Sequence, residues 1–463
     1  MTITESLADH YVQLDYESLP ESVIHEAKLC LLDSLGCILS GVQTSEIRML
    51  SKELTQSTRD QSATWIGLDQ KSSLLYAAIL NGSMAHAVEM DDVHKEAKSH
   101  AGAVVVPTVL TYGDHANSSG KDVLTAIVVG YETMLRIGRG INATAHRMKG
   151  WHATSTCGTF GAAASVSKLS NFNQEQMVSA LGLAGTQSSG LWAFTSNGAN
   201  SKMFHAGSAS ASGLLSILLV KGGLTGATKI IEAEDGGFFR SSSNDYSYDA
   251  VLDNLNKEFL ITDMTRKPFA CCRSMHPPIE AALNLRKRNI KLSEIESIKV
   301  HTYEVAKVQC GFTKSPKNIS DAKFSIPYGV AVALIDGQAL IKQFTSERIR
   351  DEEVLHLASK VDIVVDEKFD SAYPKNWGCS LEVQTTNGTY TEVIKDAKGD
   401  PVNPLSKQEL EEKFIYLAKD LIGESRCVEI IRMIAELETV NDISQLVELC
   451  SPLSLIGKLG GKA

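Results

Sequence analysis

Hydrophobic positions spaced three and four apart dominate the first half of the chain. In PESVIHEAKLCLLDSLGCILSG they fall at Val23, Ile24, Ala27, Leu31, Leu32 and Leu35. That spacing predicts one buried helix face, opened by Pro20-Glu21 and stopped at Gly41. SLLYAAILNG, VVVPTVLTYGDHA and LTAIVVGYETMLRIGRG continue the pattern, and the last is apolar nearly all round, as a central helix would be. HATSTCGTFGAAASVSKL, QEQMVSALGLAGTQSSGL and SASASGLLSILLVKGGL are rich in Ala, Gly and Ser, small side chains that let helices approach closely. The pattern changes near Thr265. IESIKVHTYEVAKV alternates Ile298, Val300 and Thr302 with polar neighbours, a strand period, and VDIVVDEKF reads as a second strand. CSLEVQTTNGTYTEVIKD predicts a hairpin turning at Asn387-Gly388. SIPYGVAVALIDG reads as a short buried helix between them. After Pro401 and Pro404 the helical period returns in SKQELEEKFIYLAKDLIG, opened by a Ser-x-x-Glu capping box. The expected fold is therefore mainly α. A large all-α helical domain, from residues 1–266 and 399–463, is interrupted by a smaller α+β unit over 267–398.

Composition narrows the classes of function. A chain of 463 residues exceeds one typical core, in line with two domains. Its net charge of −10 argues against nucleic acid or an anionic membrane as the main partner. The start, MTITESLADHYVQLDYESLP, has neither a basic n-region nor an apolar h-region, so no secretory signal is expected there. No uninterrupted apolar run reaches the ~18 residues of a membrane span. Nine scattered cysteines without a CxxC pair suggest reduced thiols and a cytoplasmic location. There is no P-loop and no GxGxxG after a strand, so the glycines read as packing residues.

Candidate chemistry is concentrated in five segments. Six of the twelve histidines lie between His86 and His152. NGSMAHAVEMDDVHKEAKSHAGAVVVP packs His86, Glu89, Asp91, Asp92, His94, Lys95, Lys98 and His100 into one short run. A divalent metal site is the less favoured reading of this run. The spacing matches no known ligand pattern, and Lys95 and Lys98 would oppose a cation. Proton transfer fits better, because His titrates near neutral pH and a carboxylate can fix its tautomer. A solvated, helix-capping loop is the alternative. GWHATSTCGTFGAA sets His152 before a small-residue helix, where it suits an anionic ligand or simply caps. GANSKMFHAG puts Lys202 and His205 three apart, on one helix face. RKPFACCRSMHPP clusters Lys267, Arg273 and His276 at the junction of the two units, with Cys271-Cys272 read as packing. KFSIPYGVA offers Tyr328, either a proton donor or a core tyrosine.

These ordered blocks resemble those of the MmgE/PrpD family, which includes 2-methylcitrate dehydratases, cis-aconitate decarboxylases and iminodisuccinate epimerases. The resemblance rests on NGSMAHAVEMDDVH, SHAGAVVVP, GWHATSTCGTFGAA, SKMFHAG, KPFACCRSMH and FSIPYGVA, and covers nearly the whole chain. It implies a helical body with an inserted α+β lid, a homodimer, no metal or organic cofactor, and an active site in the cleft between body and lid. By motif it points to Asp91, His100, His152, Lys202, Lys267, His276 and Tyr328. The acidic run departs from the decarboxylases: Glu89-Met90-Asp91-Asp92-Val93 stands where theirs resembles Asp-Phe-Asp-Asp-Thr.

The expected activity is that of a lyase on a small polycarboxylate. Lys202, Lys267 and Arg273, with His205 nearby, would hold carboxylates and stabilise charge growing on them. His100 or His152 would act as acid or base, Asp91 would orient an imidazole, and His276 and Tyr328 would donate from the lid side. Dehydration is the first expectation and decarboxylation the second. Epimerisation, or a non-catalytic carboxylate-binding dimer, are the alternatives.

Overall fold

The computed structural model describes residues 1–453. The helical expectation for the first half holds segment by segment. Pro20 precedes helix α1 (Glu21–Gly41), whose buried face includes Val23, Ala27, Leu31 and Leu35. Helix α2 (Leu74–Ala87) carries SLLYAAILNG and runs on through the first residues of the histidine-rich run. Helices α3 (Gly102–Ala116) and α4 (Gly120–Gly140) follow, and α4 is buried on all sides from Val123 to Gly138. Its Arg136 and Glu132 pair inside the core at 3.1 Å. The small-residue helices α5 (Ala153–Leu169) and α6 (Lys202–Lys221) pack against α2 and α4. At the contact between α2 and α6, a Cβ on Gly207 would stand 2.2 Å from the Ile79 carbonyl oxygen. Helix α6 is long and apolar enough to cross a membrane by length and composition, with a mean hydropathy of 1.5. Its Ala, Leu and Ser surface instead meets α2 and α5, with half of the residues buried in the fold.

Gly41 ends α1 for a reason that the sequence pattern did not show. A Cβ there would lie 2.2 Å from the Met84 carbonyl oxygen of α2, so the residue is required by backbone contact between two helices. Gly41→Ala is expected to destabilise the fold by about 1–3 kcal/mol, the cost typical of overpacking, seen as a lower Tm in a thermal melt.

The second unit starts with α7 (His276–Arg286) and contains a four-stranded sheet. Strand β1 (Ile295–Thr302) lies at its centre, and helix α8 (Ile326–Asp336) intervenes before the other strands. Strands β2 (Val361–Val365), β3 (Cys379–Thr385) and β4 (Gly388–Ile394) complete the order β2-β1-β3-β4. β1 and β2 are parallel, and the other neighbours are antiparallel. The hairpin forms one residue earlier than expected. Thr385 pairs with Gly388, so Thr386 and Asn387 make the turn and Gly388, with φ +139°, opens β4. Alternation buries Ile298, Val300, Leu381 and Val383, and α7 packs on β3 and β4 and against α8. Helix α9 (Lys407–Ile422), opened by the reciprocal Ser406–Glu409 capping box, returns the chain to α1.

Two apolar clusters result. One spans the helical body and takes Leu410, Phe414 and Ile430 from the C-terminal segment. The other runs from Ala270 to Ala397 and receives Cys37, Val88, Met90 and Phe194 from the body. Val88 and Met90 flank Glu89, so the acidic loop is anchored in the second cluster by its apolar residues.

Candidate active site

The loop after α2 is held in place by neighbours from distant parts of the chain. Val93 and His94 pair antiparallel with Thr265 and Met264, which brings Lys267 beside the acidic run. Glu89 adopts a left-handed backbone, φ +59°, uncommon outside glycine. Its side chain accepts from Lys202 and, at 3.4 Å, from Lys267, whose ammonium also reaches the Glu89 carbonyl at 3.3 Å. Lys202 opens α6, and its close contact with Glu89 joins that helix to the loop. On the other side, Lys413 of α9 donates to Asp33 at 2.6 Å and to the Met90 carbonyl at 2.7 Å. Lys95 leaves the loop altogether and pairs with Asp400 at 2.8 Å, while His94 accepts from the Ala97 amide as a turn support.

Within this frame one carboxylate orders two imidazoles. Asp91 Oδ2 lies 2.6 Å from His86 Nδ1 and 3.0 Å from His100 Nδ1. His100 Nδ1 is also 2.6 Å from the Asp92 carbonyl oxygen. A carbonyl can only accept, so the His100 proton sits on Nδ1 and Nε2 keeps its lone pair. His100 lines the cleft, which makes that lone pair the available base. Burial pushes His100 down to about 4, against the opposing pull of Asp91, so the imidazole is neutral at neutral pH. Burial also works against ionisation of Asp91 and Glu89, but it is outweighed. His86, Lys267 and His100 hold Asp91 well below the usual carboxylate range, and Lys202 and Lys267 do the same for Glu89. Lys267, fully buried, is raised because Asp91 and Glu89 more than offset its desolvation. Asp92 faces away from the cleft. It accepts from the Gly102 amide and the Tyr131 hydroxyl, and burial followed by Asp33 raises it to about 7.

His152 caps α5 without a side-chain capping bond, and its Nδ1 lies 2.9 Å from Nδ1 of His205. One ring therefore donates to the other. Burial drives both below the ordinary histidine value, His205 to about 4. The His86 ring lies between these groups, edge-on to His100 at 4.9 Å and stacked on His152 at 5.9 Å.

His86, Asp91 and His100 present donor atoms within 4.8 Å of one another, which is the strongest metal-like grouping among the described residues. Both imidazoles already bond to the same carboxylate oxygen, and Lys267 stands 3.7 Å from the other one. An ammonium ion beside the donors opposes a divalent cation. The arrangement is a buried carboxylate shared by two imidazoles.

Of the expected site residues, His100, Lys202, Lys267 and Arg273 line one cleft between body and α+β unit. Arg273 donates to the Ala397 carbonyl at 3.2 Å and lies 3.6 Å from Asp400, with Nη1 unpartnered. Asp91, His152 and His205 stand behind these residues. Two expectations need correction. Tyr328 is fully buried in the α+β unit, donates to the Gln343 carbonyl at 2.5 Å and packs on Phe344, so its hydroxyl is committed away from the cleft. His276 is buried against Phe269 and is not among the residues that line the cleft; its Nε2 lies 3.3 Å from the Cys271 carbonyl and its Nδ1 has no partner. Cys272 takes the position facing the cleft, while Cys271 packs in the core. The Cys272 thiol is lowered to about 7, first by its hydrogen bond with Cys310.

Sequence reasoning missed Glu89, Lys98 and Arg147 as wall residues. Glu89 stands in the sequence only as one member of the acidic run, and Arg147 lies in the basic stretch HRMKGW just before His152. Aromatic rings from Trp151, Trp192, Phe324, Tyr373 and Trp377 form the remaining wall.

Comparison with known proteins now decides the family. The model of the MmgE/PrpD N-terminal domain matches residues 5–250, and that of the C-terminal domain matches residues 269–439. The chain belongs to the MmgE/PrpD family. It is 30% identical to a cis-aconitate decarboxylase-like protein of Aspergillus oryzae, over 97% of each chain. It is 27% identical to the human cis-aconitate decarboxylase, over 97% of this chain and 94% of that one. With the mitochondrial 2-methylcitrate dehydratase of Yarrowia lipolytica it shares 24%, over 96% and 89%. These family members are lyases. The C-terminal family model extends through α9, whose apolar face nonetheless packs in the body.

Proposed function

We propose that the protein is a cofactor-independent lyase acting on a small tricarboxylate, through a carbanion formed next to a carboxylate. The observation that carries this reading is the convergence of Lys202 and Lys267 on a single carboxylate, that of Glu89, beside a neutral His100. The two ammonium groups form a ready-made carboxylate clamp. A substrate carboxylate that takes its place there gains stabilisation as negative charge builds on it in the transition state.

Decarboxylation of a cis-aconitate-like acid stands ahead of dehydration, reversing the order expected from sequence. Relatives that span almost the whole of both chains carry that name. The aromatic wall also favours it, because a carboxylate pressed against rings loses hydration and releases CO2 more readily. The C–C bond breaks, its electron pair moves into the unsaturated carbon frame, and a proton is added at carbon. His100 supplies that proton once neighbouring substrate carboxylates have raised its proton affinity. In dehydration the same Nε2 would take the α-proton, and the His152–His205 pair would protonate the departing hydroxide. Incubation with cis-aconitate, 2-methylcitrate, citrate and iminodisuccinate, with products read by NMR, tests the assignment. CO2 loss from cis-aconitate is the expected result. Binding without product, and without deuterium exchange in D2O, would instead fit a non-catalytic carboxylate binder. A homodimer and a cytoplasmic location belong to the same proposal, the former open to light scattering.

A further inference from the structure

The cleft contains five cationic side chains, and they are not equivalent. Lys202 and Lys267 are paired with Glu89, Lys267 also has Asp91 at 3.7 Å, and Arg273 has Asp400 within 3.6 Å. Lys98 and Arg147 have no carboxylate partner among the described residues. Lys98 Nζ donates to the Thr144 hydroxyl at 2.7 Å and lies 4.5 Å above the centre of the Tyr373 ring. Its backbone is left-handed, φ +46°, so the loop turns sharply to present this side chain. Arg147 stacks its guanidinium 4.1 Å from the centre of the Trp192 ring, and its Nε is buried without a partner. Thr144 and Arg147 lie three residues apart in the helix Ala143–Met148, so one face carries both the Lys98 anchor and the arginine. Both cations are held on aromatic faces and pre-positioned, which lowers the ordering cost of binding an anion.

We propose that Lys98 and Arg147 form a second carboxylate subsite of the cleft, one that selects polycarboxylates over monocarboxylates. The proposal rests on the lyase reading above and adds which residues hold the carboxylate that does not react. Two uncompensated cations in a partly buried cleft repel each other, and an anion bridging them relieves that repulsion. Burial, followed by Arg147, lowers Lys98 to about 8, and burial alone lowers Arg147 to about 10. The other titratable groups that line the cleft with Lys98 and Arg147 are Glu89, His100, Lys202, Lys267, Cys272, Arg273 and Tyr373. Lys98 is charged below its value and neutral above it, so anion binding at this subsite weakens as pH rises through about 8.

The test uses the intact protein and calorimetric binding of tricarballylate, an unreactive tricarboxylate, with acetate as the monocarboxylate reference. At pH 7, Lys98→Met and Arg147→Met should each weaken tricarballylate at least about tenfold, the effect of losing one charge-assisted contact, and leave acetate nearly unchanged. Lys98→Arg should restore binding. Between pH 7 and 9.5 the wild type should lose affinity while Lys98→Arg keeps it. Cys272 is common to both proteins, so its own titration cannot produce that difference. Wild-type binding with Lys98→Met and Arg147→Met unaltered would overturn the subsite alone and leave the lyase reading intact. A wild type that binds no tricarballylate at all would remove the polycarboxylate reading and the subsite together. If Lys98→Met fails to fold, the pH comparison of wild type with Lys98→Arg decides by itself.

Discussion

His100→Ala is expected to lower kcat by about 10²–10⁴-fold, the range for loss of a general acid–base group, with KM changed far less. The expectation follows from the hydrogen bonds rather than from the presence of a histidine. The Asp92 carbonyl and the Asp91 carboxylate both accept from Nδ1, so the ring cannot turn over without losing two bonds. Nε2 is thereby aimed into the cleft. His100→Gln should be equally inactive, since an amide can imitate the donor but cannot titrate. In the wild type, burial holds the ring at about 4, so its basic form persists through the neutral range. In decarboxylation, where His100 donates, the rate should fall as pH rises and the substrate-bound ring loses its proton; in dehydration, where the neutral ring is the base, it should fall only as pH drops toward about 4. Steady-state kinetics on whichever tricarboxylate the product assay identifies provide the check. An unchanged kcat in His100→Ala would move the proton chemistry to the His152–His205 pair.

Lys267→Met is expected to cost both stability and turnover. The lysine is fully buried, with Glu89 at 3.4 Å and Asp91 at 3.7 Å. Removing it leaves two buried carboxylates with less compensation. Losing one partner of a buried pair costs about 3–5 kcal/mol. Urea denaturation at pH 7 should show that loss as a lower midpoint with an unchanged slope. Adding Glu89→Gln to Lys267→Met should recover part of it, because one of the stranded charges is gone. The pH dependence has a definite direction. Glu89 is held below its ordinary value of 4.5, so its contribution is complete above that value and is lost as pH falls toward the lower folded value. Lys267→Met should flatten this acid-side dependence. Equal stability of wild type and Lys267→Met at pH 7 would show that the buried ion network contributes little.

Much of this architecture was legible in the chain itself, because period and burial are local properties. The helical spacing of Leu31, Leu32 and Leu35, the Ser406–Glu409 box and the alternation around Val300 each specify their element without help from distant residues. The cleft was legible only in part. His100, Lys202, Lys267 and Arg273 stand out by residue type, and they do meet. Tyr328 and His276 have equally suitable chemistry, yet the Tyr328 hydroxyl and the His276 Nε2 are taken by nearby carbonyls, and only His276 Nδ1 is without a partner. No sequence pattern distinguishes a satisfied hydroxyl from an available one. Glu89 illustrates the opposite failure. Its importance arises because two lysines, 113 and 178 residues further on, converge on it. Lys98 and Arg147 were missed for the same reason, since a cation matters here when it lacks a partner, and partners are a property of the folded chain.

Lys413 sets an order in time. Its bonds to Asp33 and to the Met90 carbonyl span 380 and 323 residues, so the loop that carries Asp91 is buttressed by a side chain made long after it. At roughly 5–20 residues per second, tens of seconds separate the appearance of Met90 from that of Lys413. Throughout that interval the acidic loop lacks the strut beneath it, and Asp33 lacks its counter-ion. His86 and His100, both bonded to Asp91, therefore gain that support only after the inserted α+β unit has been made and the polypeptide has returned to α1.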